Sequence, residues 1–331
     1  MQHYMHLGDL SPKEIAGLLD VARRADRDRT WQPLAGKILG LVFMNPSLRT
    51  LASFQAGMAR LGGSSFVITP GSSWALEHRD NVIMDGAAAE HVREAIPVLA
   101  GYADAIGVRA FASGTDLDDD LGEPIMSLIR ELSPVPLINM ESAMDHPCQA
   151  LADWKTLDDE KIPAAGGKFV LSWANHPKPL PLAVPAAAVH MAAHRGMDVT
   201  VLRPPGFELP EALMARARSA AAAAGGSVVE TDDREEAMAD AQVIYAKSWG
   251  SPMHYGDTQA DAALRQGLRD WTVDESWFAP AAAGCIFMHC LPIRRNVVAS
   301  DGVLDGPRNR VLVQARNRML AQQAVLHRLL A

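Results

Sequence analysis

The chain has 331 residues, a length that suggests two domains rather than one core. With 48% apolar and 21% charged residues it reads as a globular protein, and no apolar run approaches the roughly 20 residues of a membrane span, so no membrane contact is expected. A net charge of −8 argues against a broad nucleic-acid surface but permits a small basic pocket.

Residues 1–14 show neither a basic nor an apolar leader segment, so no signal peptide is expected. Apolar runs at 37–44, 64–69, 103–110 and 135–140 read as a first set of strands, alternating with helix-like segments. The first run breaks at Asn45-Pro46 and passes through Ser47, Leu48, Arg49 and Thr50 into an amphipathic helix. Residues 142–160 read as a connecting helix. A second set of strands follows at 168–174, 198–203, 227–232, 241–249 and 284–290. Between them, the alanine-rich stretch 215–226 predicts a helix stopped by Gly225-Gly226. A last strand-like run, RVLVQ, precedes a terminal helix over 317–330. Near-continuous apolar strands alternating with helices predict an α/β protein with two doubly wound parallel-sheet domains. The three cysteines, Cys148, Cys285 and Cys290, lack C-x-x-C spacing, so a reducing, cytoplasmic setting without disulfides is expected.

In doubly wound sheets, ligands sit beyond the carboxyl ends of strands, so residues just after each strand are the candidates for chemistry. Ser47, Arg49 and Thr50 fall on a helix start, where unpaired N–H groups and the helix dipole attract an anion. Arg109 ends the third strand, while Glu141, His146 and Gln149 follow the fourth. His176 and Lys178 lie in a proline-rich loop, Lys247 near a strand end, and His289, Cys290 and Arg294 after the last strand of the second set. Each alone suits a cap, an ion pair or a connector; together they are mostly cationic or hydrogen-bonding, as an anionic substrate requires.

FMNPSLRT, HPCQALAD and HCLPIRRN, in this order, resemble the motifs of the aspartate/ornithine carbamoyltransferase superfamily. INMES, WANHPKPLP and IYAKSW narrow the resemblance to the N-acylornithine carbamoyltransferases, over nearly the whole chain. The resemblance implies a carbamoyl phosphate-binding domain over 1–145, with helix 315–331 packing back on it, and an acylornithine-binding domain over 146–314. It further implies a deep trefoil knot in the second domain, around residues 174–185, and a homotrimer with shared active sites. Carbamoyl phosphate would meet Ser47, Leu48, Arg49, Thr50, Arg109, His146, Pro147, Cys148, Gln149, Cys290, Leu291 and Arg318. Trp74 would come from a neighbouring subunit. The catalytic work would fall to Arg49, Thr50, Arg109, His146, Gln149 and Cys290. Glu141, His176, Lys247, Leu291 and Arg294 would hold the acylornithine, with Ala89 bearing on the acyl group. The δ-amine would attack the carbamoyl carbon and phosphate would leave, which requires no metal and no organic cofactor.

Three positions depart from the family pattern. Leu51 replaces the arginine that follows S-x-R-T, and Ala89 stands where glutamate accompanies acetylornithine and proline accompanies succinylornithine. Val298 stands where the acetylornithine enzymes carry a lysine. The missing carboxylate at Ala89 and the wording of residues 94–98 lean towards succinylornithine. Two other readings stay open: a zinc hydrolase built on His146, Cys148, His289 and Cys290, whose spacings lack the usual ligand pattern, and a non-catalytic ligand-binding relative.

Overall fold

The computed structural model describes residues 2–70 and 74–331, so the glycine and two serines ahead of Trp74 lie outside the described residues. The chain divides into two compact units. The first comprises Met1–Ala112, Asp118–Leu151 and Arg318–Ala331, and the second Ser113–Leu117 and Ala152–Asn317. The sequence places these steps at 145/146 and 314/315; contacts place them inside two helices.

The first unit opens with α1 (Pro12–Arg27), started by a capping box between Ser11 and Glu14 with Pro12 in the first turn. There follow β1 (Ile38–Phe43), α2 (Leu48–Arg60), β2 (Ser64–Ile68), β3 (Ala75–Glu77), β4 (Ala88–His91), α3 (Val92–Ala100) and β5 (Ala105–Arg109). Then come α4 (Leu117–Gly122), α5 (Pro124–Leu132), β6 (Leu137–Glu141) and α6 (Pro147–Asp159), which carries the chain across the division. The main sheet is parallel, in the order β2-β1-β5-β6. Every residue of β5 and β6 is buried, which is why these strands read as near-continuous apolar runs, broken only by Asn139 and by the terminal Arg109 and Glu141. The pair β3-β4 forms a separate small sheet that the apolar pattern does not announce, since its strands are three and four residues long.

The second unit repeats the plan with β7 (Lys168–Trp173), α7 (Ala183–His194), β8 (Asp198–Leu202), α8 (Glu211–Ala224), β9 (Ser227–Thr231), α9 (Arg234–Met238) and β10 (Val243–Lys247). It continues through α10 (Thr258–Gln266), β11 (Ile286–Met288), α11 (Asp301–Asp305) and α12 (Val311–Leu330). Its sheet, again parallel, has the order β11-β10-β7-β8-β9. Buried aromatic side chains, including Phe169, Trp173, Phe207 and Tyr245, fill its core.

One expected element changes type. RVLVQ is not a strand: it supplies the first turn of α12, opened by the Asn309 side chain, which accepts from Val311 N at 2.9 Å. Val311, Gln314, Asn317 and Arg318 are buried while Leu312 is exposed, a helical spacing that a run of three apolar residues cannot display. The residues of α12 beyond 317 return to the first unit, where the Gln323 side chain donates to Gly57 O of α2 at 3.3 Å.

Two glycines give a prediction of opposite signs. Gly225 stops α8 at φ +83°, so Gly225→Ala is expected to destabilise by about 1 kcal/mol. Gly17 lies inside α1 with open space where a Cβ would go, so Gly17→Ala is expected to stabilise by about 0.5–1 kcal/mol. Urea unfolding should show the midpoints moving in opposite directions.

Candidate active site

Both main sheets reverse their winding direction once. In the first unit β2 lies on one side of β1 and β5 on the other. Right-handed crossovers to opposite sides put the connecting segments on opposite faces, so the loops after β1 and β5 part and leave a crevice. The loop after β1 is fastened there: Met44 N donates to Arg109 O at 3.0 Å, and the Asn45 side chain accepts from Phe111 N at 2.8 Å. The sequence marks Asn45 only as a breaker; its role ties two strand ends 66 residues apart and leaves no local signal.

Ser47 caps α2, its hydroxyl accepting from Thr50 N at 3.3 Å and donating to Thr50 Oγ1 at 3.0 Å. Thr50 is fully buried, Arg49 is half-buried and Leu48 points to solvent, 80% exposed. Beside this helix start, Arg109 is buried at the end of β5, with its guanidinium 4.3 Å from the Phe111 ring centroid. Its nearest charge is Glu141, at the end of β6, which accepts a hydrogen bond from Arg109 Nη1. His146 Nε2 lies 3.4 Å from the same carboxylate oxygen. A buried arginine, carboxylate and histidine thus face one another at the ends of the adjacent strands β5 and β6 and in the loop after β6. Glu141, which the sequence groups with His176, Lys247 and Arg294, is paired here with Arg109 and lies beside His146.

Pro147 starts α6, and the Gln149 side chain, also buried, accepts from Arg318 Nη1 at 3.4 Å. Cys148 is fully buried, and burial pushes its thiol up to about 12, so it is protonated at neutral pH. Among the described residues, no three or more His, Cys, Asp and Glu side chains are grouped as a metal centre would need.

In the second unit the reversal falls between β7 and β10. Ala174 N donates to Lys247 O at 3.2 Å and the Ser248 hydroxyl donates to Ala174 O, joining the loop after β7 to the end of β10. Lys247 is nearly buried there. In the proline-rich loop, Arg294 Nε donates to His176 Nε2 at 3.2 Å. Nε2 accepts that bond, while Nδ1 lies 2.9 Å from Lys178 O and 3.1 Å from Lys178 N. Burial holds the His176 pKa below its ordinary value; the Lys178 carbonyl works against that shift, and the nearby Arg294 and Lys247 charges reinforce it. After β11, His289 Nδ1 accepts from Leu291 N at 2.9 Å, and His289 N donates to the Gln314 side chain at 3.0 Å. Leu291 takes φ +58° ahead of a cis bond to Pro292, and Cys290 is nearly buried. Gln314, within the misread RVLVQ run, is a supporting residue that the sequence does not reveal. Val298 is buried, with its N–H donating to Arg294 O at 2.9 Å.

Trp74 and Ala89 lie apart from these loops, on β3-β4 and the residue before it. Trp74 is 51% exposed, donates to the Glu90 side chain at 2.9 Å and borders a cavity of about 320 Å³ with Ile68, Leu76 and Val98. Ala89 is exposed on β4.

Residues 2–159 match the carbamoyl-P binding domain of aspartate/ornithine carbamoyltransferase, and residues 184–329 match its Asp/Orn binding domain. The chain is 39% identical over 330 residues to N-acetylornithine carbamoyltransferase of Xanthomonas campestris pv. campestris, covering 98% of this chain and 97% of that one. It is 37% identical over 325 residues to N-succinylornithine carbamoyltransferase of Bacteroides thetaiotaomicron, covering 98% and 96%. Its fold matches acetylornithine transcarbamylase complexed with acetylcitrulline at a TM-score of 0.96 and 39% identity, covering 100% of both chains. A glutamate-to-alanine mutant of N-acetyl-L-ornithine transcarbamylase, complexed with carbamyl phosphate and N-succinyl-L-norvaline, matches at 0.96 and 40% identity, covering 99% of this chain and 100% of that one. The chain belongs to the aspartate/ornithine carbamoyltransferase family and is a carbamoyltransferase.

Proposed function

We propose that the protein transfers the carbamoyl group of carbamoyl phosphate to the δ-amine of an N-acyl-L-ornithine, giving N-acyl-L-citrulline and phosphate in cytoplasmic arginine biosynthesis. The observation that carries the reading is that the α2 start, with Arg49 and Thr50, follows β1 at the winding reversal of the first unit, beside β5, which ends in buried Arg109, joined through Glu141 to His146. Phosphate oxygens take the α2 N–H groups, the Ser47 hydroxyl and Arg49, with Arg318 adding a further charge. Thr50, Arg109 and His146 donate to the carbamoyl oxygen, where negative charge grows as the amine attacks. The tetrahedral species collapses, the C–O bond to phosphate breaks, and the leaving phosphate accepts the amine proton. Gln149, with the backbone at Cys290 and Leu291, holds the carbamoyl amide; Cys148 takes part only through its backbone, since its thiol is buried. Glu141, His176, Lys247 and Arg294 hold the acylornithine. Trp74, half-exposed on its own subunit, serves a neighbouring copy in a homotrimer.

Succinylornithine is the preferred substrate and acetylornithine the second reading. Support comes from Ala89, which presents no carboxylate to repel a succinyl group. It also comes from the glutamate-to-alanine relative that was solved with N-succinyl-L-norvaline. Phosphate release with succinyl-, acetyl- and free ornithine tests this: succinylornithine is expected to turn over fastest. Ala89→Glu should lower kcat/KM for succinylornithine about tenfold relative to acetylornithine, through like-charge repulsion. No turnover with any of the three would favour a ligand-binding relative.

Arg49→Ala should weaken carbamoyl phosphate binding roughly 10- to 100-fold in calorimetry, the loss expected for charge-assisted hydrogen bonds. Near-normal affinity would remove Arg49 from the phosphate site.

His176 should titrate below the ordinary 6.5, so its neutral form accepts from Arg294 at neutral pH. Protonation destroys that acceptor, so, on top of the dependence set by ionisation of the substrate's own δ-amine, KM for the acylornithine is expected to rise as pH falls through the lowered His176 pKa. An NMR titration of the His176 Cε1–H with a midpoint at or above the ordinary value would contradict this.

A further inference from the structure

His146 is held from outside its own loop. Tyr4 forms a parallel bridge with Ile138 of β6: Tyr4 N donates to Leu137 O at 2.8 Å and Asn139 N to Tyr4 O at 2.9 Å. The N-terminal segment is therefore laid along β6, the strand that leads into the His146 loop. From that anchorage Tyr4, 1% exposed, donates its hydroxyl to Pro147 O at 3.0 Å. Two residues further on, His6 Nδ1 lies 2.7 Å from Asp145 Oδ2; an ionised carboxylate only accepts, so Nδ1 carries the proton. The residues immediately before and after His146 are thus each fastened to the N-terminal segment. Glu123 steadies the start of the same turn, accepting from Met144 N at 2.9 Å and from the Ser142 hydroxyl.

We propose that Tyr4 and His6 are positioning residues for His146, fixing the backbone on both sides of it so that its ring meets the oxygen where charge develops. The inference rests on the role given to His146 above. It follows from geometry: small displacements of a transition-state donor cost rate even when the substrate still binds.

The test compares Tyr4→Phe, His6→Ala and His6→Asn with His146→Gln in the full-length protein, measuring kcat, KM for carbamoyl phosphate, and the stoichiometry of carbamoyl phosphate binding by calorimetry. Tyr4→Phe keeps the buried ring and His6 is partly exposed, so both variants should fold. Tyr4→Phe and His6→Ala are expected to lower kcat per binding site about tenfold, with stoichiometry unchanged and KM moved about twofold at most. His6→Asn should recover most of the loss, because its amide nitrogen can donate to Asp145 as Nδ1 does. A merely structural role would reduce thermal stability or the number of binding sites and leave kcat per site untouched. If Tyr4→Phe and His6→Ala keep full kcat per site while His146→Gln is inactive, the positioning role is wrong. If His146→Gln itself turns over normally, the role of His146 is what fails.

Discussion

Everything at the candidate site depends on the reversal of winding in a parallel sheet. A strand whose two neighbours are reached by crossovers on opposite faces has loops that diverge at its carboxyl end, and only there does the sheet open. The reversal places the end of β1 beside that of β5 in one unit and the end of β7 beside that of β10 in the other. Polar side chains at these strand ends are themselves buried and are satisfied by one another, as Arg109 is by Glu141. The same constraint explains why Arg109 and Lys247 end strands that are otherwise apolar and buried.

Burial gives these groups their strength and sets their cost. Arg109 and Glu141 are both almost enclosed, and removing one member of such a pair typically costs about 3–5 kcal/mol because the other is left without its counter-charge. Holding His146 against the same carboxylate keeps three polar groups in fixed relation where solvent would otherwise let them swing. Cys148 shows the opposite outcome of enclosure: with its thiol driven towards the protonated form, it packs as a small apolar residue.

What could be read beforehand follows from how local each signal is. The main strands announce themselves as apolar runs because both faces of each sheet are covered, and Ser47 is legible as a cap because its partner Thr50 is three residues away. The identity of residues at strand ends is local too, so Arg109, His146 and Lys247 stand out. By contrast, RVLVQ misleads because three consecutive apolar residues fit a strand or a helical turn equally, and only the residues past it settle the matter. The β3-β4 pair is too short to carry a pattern. Asn45 with Phe111, Gln314 with His289 and His6 with Asp145 are pairings across 66, 25 and 139 residues, which no window along the chain contains.

The path of α12 has a consequence for how the molecule is made. Residues 318–331 belong to the unit that otherwise ends at Leu151, and Gln323 reaches Gly57 across 266 positions. During synthesis the first unit's other segments emerge long before this helix does. Its α2 surface must therefore wait, incompletely covered, while the whole second unit is translated. Such a long-range closure slows folding and prolongs the exposure of apolar surface. In the second unit the pairs that close the start of α12 on α6, Gln314 with Asp153 and Asn317 with Thr156, span 161 residues, and on the ribosome its sheet can form before the first unit acquires its final helix.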